Sequence, residues 1–208
     1  MTGRFLSLEG GEGTGKSTQV RALAAALEAR GVRVVTTREP GGSEGAEAIR
    51  ALLMQGDVAR WGARAEALLF AAARADHVEK VIAPAIAAGT WVITDRYVDS
   101  TRAYQGVAGG IDDAAILALH GFGAAGLLPD RTYVLDLPIA DGARRASLRD
   151  GGLADRFAKR GATFHADVAR AFRDLACDEP ARFRVIDAAQ PADAVTQALL
   201  ADLSDLLP

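Results

Sequence analysis

Gly10-Gly-Glu-Gly-Thr-Gly15-Lys16-Ser17 constrains the fold of this chain more than any other stretch. It fits G-x-x-x-x-G-K-S without a gap, and it lies between an apolar strand signal at 5–9 and a helical pattern at 15–30 ended by Gly31. Glycines let successive backbone N–H groups turn inward around a phosphate chain, and the helix N-terminus adds partial positive charge. Nucleotide contacts are therefore expected from Gly10, Gly11, Glu12, Gly13, Thr14, Gly15, Lys16, Ser17 and Thr18. Lys16 should reach the β/γ oxygens, and Ser17 is expected to ligate Mg²⁺ together with Asp95, which ends a later strand. A second strand at 32–37 completes a βαβ unit, which requires a parallel sheet with helices on its faces.

The pattern recurs. An Ala-rich helix is predicted over 63–88, strands over 90–94, 132–137 and 183–187, and helices over 112–122 and 192–207, with further helical patterns between the strands. That makes an α/β chain with five parallel strands and helices on both faces. At 208 residues, with 50% hydrophobic and 25% charged residues, a single domain over 1–208 with an adequate core is expected. Cys177 is the only cysteine, which excludes an internal disulfide, and histidines at 77, 120 and 165 are too scattered for a zinc site. They read as surface or satisfied core residues. A net charge of −3 gives no long-range pull on a nucleic acid polymer. No apolar run spans a bilayer and residues 1–17 lack the h-region of a signal peptide, so a cytoplasmic protein without a membrane partner is expected.

The loop alone does not choose among GTPases, motor or partition ATPases and small-molecule kinases. The chain has no asparagine and hence no N-K-x-D guanine reader. Other segments fall where strand ends face the loop. Arg38 in Thr-Arg-Glu-Pro-Gly-Gly follows the second strand and Arg96 follows the third, so both guanidinium groups should project beside Lys16. That arrangement suits a second phosphate. Phe70 and Arg74 are spaced i,i+4, so on a helix an aromatic face stands beside a donor, as base reading requires.

Taken together, EGGEGTGKST, TREPGG and DRYVDSTRAYQG resemble thymidylate kinases in order and spacing, and the resemblance covers nearly the whole chain. It implies a P-loop kinase fold, usually homodimeric, that transfers the γ-phosphoryl group of ATP to dTMP in dTTP synthesis, with an arginine-rich lid closing over ATP. By the same resemblance Arg38 and Arg96 would hold the acceptor phosphate, Phe70 would stack on thymine and Arg74 would donate to a thymine carbonyl. Thr101 and Gln105 would line the base edge, Tyr104 would lie beneath the deoxyribose, and Glu12 would reach its 3′-hydroxyl. Relatives without an arginine in the phosphate loop place catalytic arginines in the lid. Here the loop position is Gly13 and the lid is expected over about 144–160, with Arg149 and Arg156 as catalytic candidates and Arg145 behind them. Ala158 departs from the family pattern, where an acidic residue is common.

A phosphate acceptor is already an oxyanion at pH 7, so no general base is needed, and the lack of a Ser-His-Asp set is expected. The competing readings are another P-loop nucleotide or deoxynucleoside kinase, and a nucleotide-gated ATPase module. The second would leave Phe70, Arg74 and Tyr104 without a purpose.

Overall fold

The computed structural model describes residues 3–150 and 156–207, with the backbone alone at 149–150. In chain order the elements are β1 (Phe5–Glu9), α1 (Lys16–Glu28), β2 (Val34–Arg38), α2 (Glu44–Met54), α3 (Ala63–His77), α4 (Ala83–Ala87), β3 (Trp91–Asp95), α5 (Val98–Thr101) and α6 (Asp113–Ala124). They continue as β4 (Arg131–Asp136), α7 (Ile139–Asp150), α8 (Ala162–Asp178), β5 (Phe183–Asp187) and α9 (Ala192–Asp202). Among the described residues the strands form one sheet in the order β2-β3-β1-β4-β5, every pair parallel. The expected five-stranded α/β architecture is the one found.

Strand alternation builds the two cores. Leu6 and Leu8 of β1 pack with Leu23 and Leu27 of α1 and with Leu199 of α9. Phe5, on the opposite face, packs with Val92 and Tyr97, while Val134 of β4 meets Phe172 of α8. Gln19 Nε2 donates to the Ala192 carbonyl (2.9 Å), and Thr196 donates to Gln19 Oε1 (2.7 Å), tying α1 to α9.

The helix expected over 63–88 is a continuous helical path, but it divides. Residues Val78–Ile82 widen to π-helical pitch between α3 and α4. Pro84 has no N–H to return to the carbonyl four residues earlier, and the widened turn lies just ahead of it. A π-helical stretch at Arg102–Val107 likewise follows α5. Buried Arg102 sits in a carboxylate ring, donating to Asp113 (2.8 Å), Glu179 (2.6 Å) and Asp99 (3.2 Å), and Arg182 shares Asp99.

In this strand order the chain leaves central β1 for one edge and later returns to the other side, so the crevice forms at the carboxyl end of β1. The glycine loop lies there.

Candidate active site

A cavity of about 1060 Å³ runs across the carboxyl ends of the strands. It is lined by Glu12 to Gln19 after β1, by Arg38, Glu39 and Pro40 at the end of β2, by Asp95, Arg96 and Tyr97 at the end of β3, and by Ala188 to Ala192 after β5. Phe70 and Arg74 of α3 close one end with Thr101, Tyr104 and Gln105. Every candidate whose side chain is described, except Gly10, Gly11 and Arg156, lines this cavity. Gly10 and Gly11 line a neighbouring cavity of about 380 Å³ between the loop, β4, α7 and α8.

The loop takes the conformation its glycines permit. Gly13 has φ +70, and a Cβ there would stand 2.0 Å from the carbonyl oxygen of Gly142 in α7. Lys16 lies folded against the loop, donating to the Gly11 and Gly10 carbonyls (2.7 and 3.2 Å). Burial above all, and then Arg96, brings its ammonium down to about 8. Ser17 Oγ donates to Asp95 Oδ2 at 2.5 Å, so a hydroxyl and a carboxylate meet at one point beside the loop. That pair fits Mg²⁺, which commonly takes one or two protein oxygens and fills its octahedron with phosphate oxygens and water. Among the described residues no group of three His, Cys, Asp or Glu side chains is arranged to hold a metal by itself.

Arg96 is the most heavily held cation in the cavity. Its backbone has φ +72, rare outside glycine, and its N–H bonds the Leu8 carbonyl (3.0 Å). Its guanidinium donates to the Gly10 carbonyl (3.0 Å), Ser100 Oγ (3.1 Å), Glu12 (2.7 Å) and the Tyr104 hydroxyl (3.1 Å), and it lies 5.0 Å from the Tyr104 ring centroid. Burial opposes the charge, but Tyr104, Glu12, Asp95 and Glu9 together hold it more firmly than usual. Arg38 is more exposed and donates to both oxygens of Glu47 on α2 (2.9 and 3.1 Å). The Gly42 N–H first, and Arg38 with it, keep Glu47 below the usual carboxylate range.

Behind Arg96 stands Glu9, which the motif reading passed over. It accepts from the Tyr97 N–H (2.7 Å), Ser100 Oγ (2.6 Å) and Ser7 Oγ (2.9 Å). Burial, and next the nearby Asp99, lift it from 4.5 to about 7. Between those values the folded chain keeps a proton that the unfolded chain has released. Stability should therefore fall as pH rises from about 4.5 to 7, by at most about 3 kcal/mol. Urea titrations at pH 5 and 8 test this: Glu9→Gln should flatten the difference, and an equally steep dependence in the variant would exclude Glu9 as its source.

The lid candidates fall differently. Arg145 of α7 lines the cavity and donates to the Ala188 carbonyl (3.2 Å). The Arg149 side chain and residues 151–155 lie outside the described part. Arg156 is not brought beside Lys16. It is fully buried at the α3 end, donating to the carbonyls of Leu53 and Val58 (3.1 and 3.2 Å) and paired with Glu66. Arg160 and Gln105 Nε2 also use the Glu66 carboxylate (2.7 and 3.1 Å). Phe157 comes with them, its ring 5.8 Å from Phe70 and 6.2 Å from Tyr104. Sequence reasoning also missed Arg50, which lines the cavity and donates to the Pro40 carbonyl (2.7 Å), and Glu39, which bonds Arg74. The motif carrying Glu39 was legible, but its buried partner was not. The Glu39–Pro40 peptide is cis. His77 is a satisfied core residue, bonded to Thr37 and Glu39, whereas His120 is buried with Nε2 at the Leu127 carbonyl and Nδ1 unpartnered among the described residues.

Known proteins are similar to this chain in sequence and in fold. The family model described as thymidylate kinase matches residues 8–199. A thymidylate kinase of Rhizorhabdus wittichii is 60% identical over 100% of both chains. One from Afipia carboxidovorans is 50% identical over 95% of this chain and 87% of its own. The crystal structure of thymidylate kinase from Ehrlichia chaffeensis superposes with a TM-score of 0.78 at 32% identity, covering 98% of this chain and 100% of that one.

Proposed function

We propose, since this chain belongs to the thymidylate kinase family, that its cavity seats dTMP at the α3 end and ATP over the glycine loop, with their phosphates meeting between Lys16, Arg38 and Arg96. The chain phosphorylates dTMP to dTDP, with ATP as donor, as the family does. One observation carries the assignment of ends: the Phe70 and Arg74 pair opens into the same cavity as Lys16 and Arg96.

The acceptor oxygen is already anionic, since a phosphate monoester's second pKa is about 6. The chain's task is then to align two like-charged groups and hold them together. Arg96, fixed by four acceptors, and Arg38 grip the dTMP phosphate. Lys16 meets the β/γ oxygens on leaving the loop carbonyls. Ser17 and Asp95 would hold Mg²⁺, which supplies neutralising charge for the donor phosphates when bound. Phe70 offers a stacking face, Arg74 a donor, Thr101 and Gln105 the base edge, Tyr104 the sugar floor, and Glu12 an acceptor for the 3′-hydroxyl. The exit of β5, around Ala188 and Pro191 beside Arg145, is left for the nucleoside of ATP.

Arg149 and Arg156 are the proposed lid contribution, and for Arg156 this requires exchanging Glu66 for phosphate. The lid and core are taken as one domain over 1–208 in a cytoplasmic enzyme. No described helix is long and apolar enough to cross a membrane. A homodimer is supported by exposed Leu68 on α3 and by Leu117 and Phe122 on α6, the helix packed beside it. Sedimentation near twice the 21.7 kDa chain mass is the expected result, and a species of single-chain mass would exclude it.

The functional test is ADP release from Mg-ATP with dTMP, dUMP, dCMP, dGMP and thymidine in parallel. Turnover should be fastest on dTMP. Activity on thymidine alone would point to a deoxynucleoside kinase, and slow hydrolysis indifferent to acceptor would point to an ATPase module.

A further inference from the structure

Arg74 is held by buried polar groups, of which Glu39, His77 and Thr37 have no part in the transfer chemistry above. Its Nε donates to Glu39 Oε2 (2.8 Å) and its Nη2 to Thr101 Oγ1 (2.8 Å), and its guanidinium lies 5.3 Å from the Tyr97 ring centroid. The other oxygen of Glu39 meets His77 Nδ1 (3.2 Å), and His77 Nε2 meets Thr37 Oγ1 (2.7 Å). Glu39, Arg74 and His77 are all more than nine-tenths buried. A carboxylate only accepts, so Nδ1 carries the hydrogen in this contact when Glu39 is ionised. The last pair closes because residue 42 is glycine: a Cβ there would stand 2.4 Å from His77 Nε2 and 2.5 Å from Thr37 Oγ1.

We propose that Glu39, braced by His77 and Thr37, is a positioning residue for base selection, fixing the guanidinium of Arg74 so that its remaining donor edge faces the base pocket. This rests on the proposed contact between Arg74 and a base carbonyl. The consequence is chemical. A guanidinium offers donors and no acceptor, so in a fixed pose it rewards a pyrimidine with a carbonyl at C4 and opposes one with an amino group there. Were Arg74 free to swing, that penalty would relax, because a mobile side chain could withdraw from the amino group. The charge of Glu39 also offsets the cost of burying Arg74 beside the pocket.

The experiment is steady-state kinetics of the full chain with dTMP and dCMP as acceptors, accompanied by thermal melts. Glu39→Gln should raise the KM for dTMP by about tenfold and narrow the dTMP-to-dCMP ratio of kcat/KM by a similar factor, with kcat and the KM for ATP within about twofold. His77→Ala should act in the same direction by roughly threefold, and His77→Asn, which restores a donor near Nδ1, should recover most of that loss. Should Glu39→Gln fail to fold, the His77 pair carries the test. Arg74→Gln separates this inference from its premise. If Arg74→Gln leaves the KM for dTMP unchanged, the base contact itself is wrong and the inference falls with it. If Arg74→Gln raises that KM while the Glu39 and His77 variants leave both KM and the dCMP ratio alone, the contact stands and the positioning role is overturned. In the double variant Glu39→Gln/Arg74→Gln, a KM no higher than that of Arg74→Gln supports the proposal, and a further multiplied rise contradicts it.

Discussion

Lys16→Ala should reduce kcat for dTMP phosphorylation by roughly 10²–10⁴-fold while leaving a folded protein. The fold should survive because the described bonds of the ammonium are to the loop's own Gly10 and Gly11 carbonyls and the Thr14 hydroxyl, and none reaches another element. Removing a buried cation whose charge is disfavoured by desolvation should leave the melting temperature unchanged or higher. The kinetic loss arises because the two substrates present like charges, and a fixed ammonium in a water-poor crevice stabilises the transferring group more than mobile solvent can. The same burial predicts a falling limb in kcat/KM near pH 8 for the unmodified enzyme, where the free enzyme loses the Lys16 proton. Single-turnover rates decide the matter: a Lys16→Ala enzyme with near-normal kcat would remove this residue from the chemistry.

Arg96→Ala should be comparably severe, but with a different kinetic signature. Arg96 is proposed to touch the acceptor phosphate in both ground and transition states, so KM for dTMP should rise and kcat should fall, together lowering kcat/KM by roughly 10³-fold. Arg96→Lys should recover little. A lysine ammonium is a point donor and cannot reproduce a planar fork that reaches the Gly10 carbonyl, Ser100, Glu12 and Tyr104 at once. The φ of +72 at this position also means that alanine inherits the backbone strain without the bonds that offset it, so a modest loss of stability should accompany the kinetic one. An unchanged KM for dTMP would place the acceptor phosphate elsewhere and leave Arg38 as its main anchor.

Local features of this fold were legible in the sequence. β1 and β5 were read to the residue because short apolar runs bounded by turn residues have few alternatives. The loop was legible because its function demands a fixed backbone. Strand ends follow from periodicity, which directs Arg38 and Arg96 to one crevice; for Phe70 and Arg74 periodicity gives only a shared helix face, and their place in the same cavity was legible through the family resemblance. What escaped were pairings across long sequence separations. Glu66 lies on α3, and nothing in its own surroundings announces that Arg156 and Arg160, some ninety residues later, will share its carboxylate. Glu39 stands within a recognisable motif, yet its partners Arg74 and His77 are set by how the end of α3 comes to lie beside the end of β2. The widening of the helix after His77 escaped because the periodicity of the apolar residues hardly registers one wide turn, although Pro84 marked the place.

The close seating of Gly13 on Gly142 bears on how such a catalyst can change. A side chain at 13 would meet the Gly142 carbonyl oxygen at 2.0 Å, and one at 142 would meet the Glu12 carbonyl oxygen at 2.5 Å, so each glycine forbids a neighbour to the other. At position 13 an arginine cannot be introduced by one substitution, because α7 would first have to retreat. Moving the catalytic contribution proposed for the lid arginines into position 13 would thus cross a mutational valley, since two backbones in contact would have to part before the new side chain could fit.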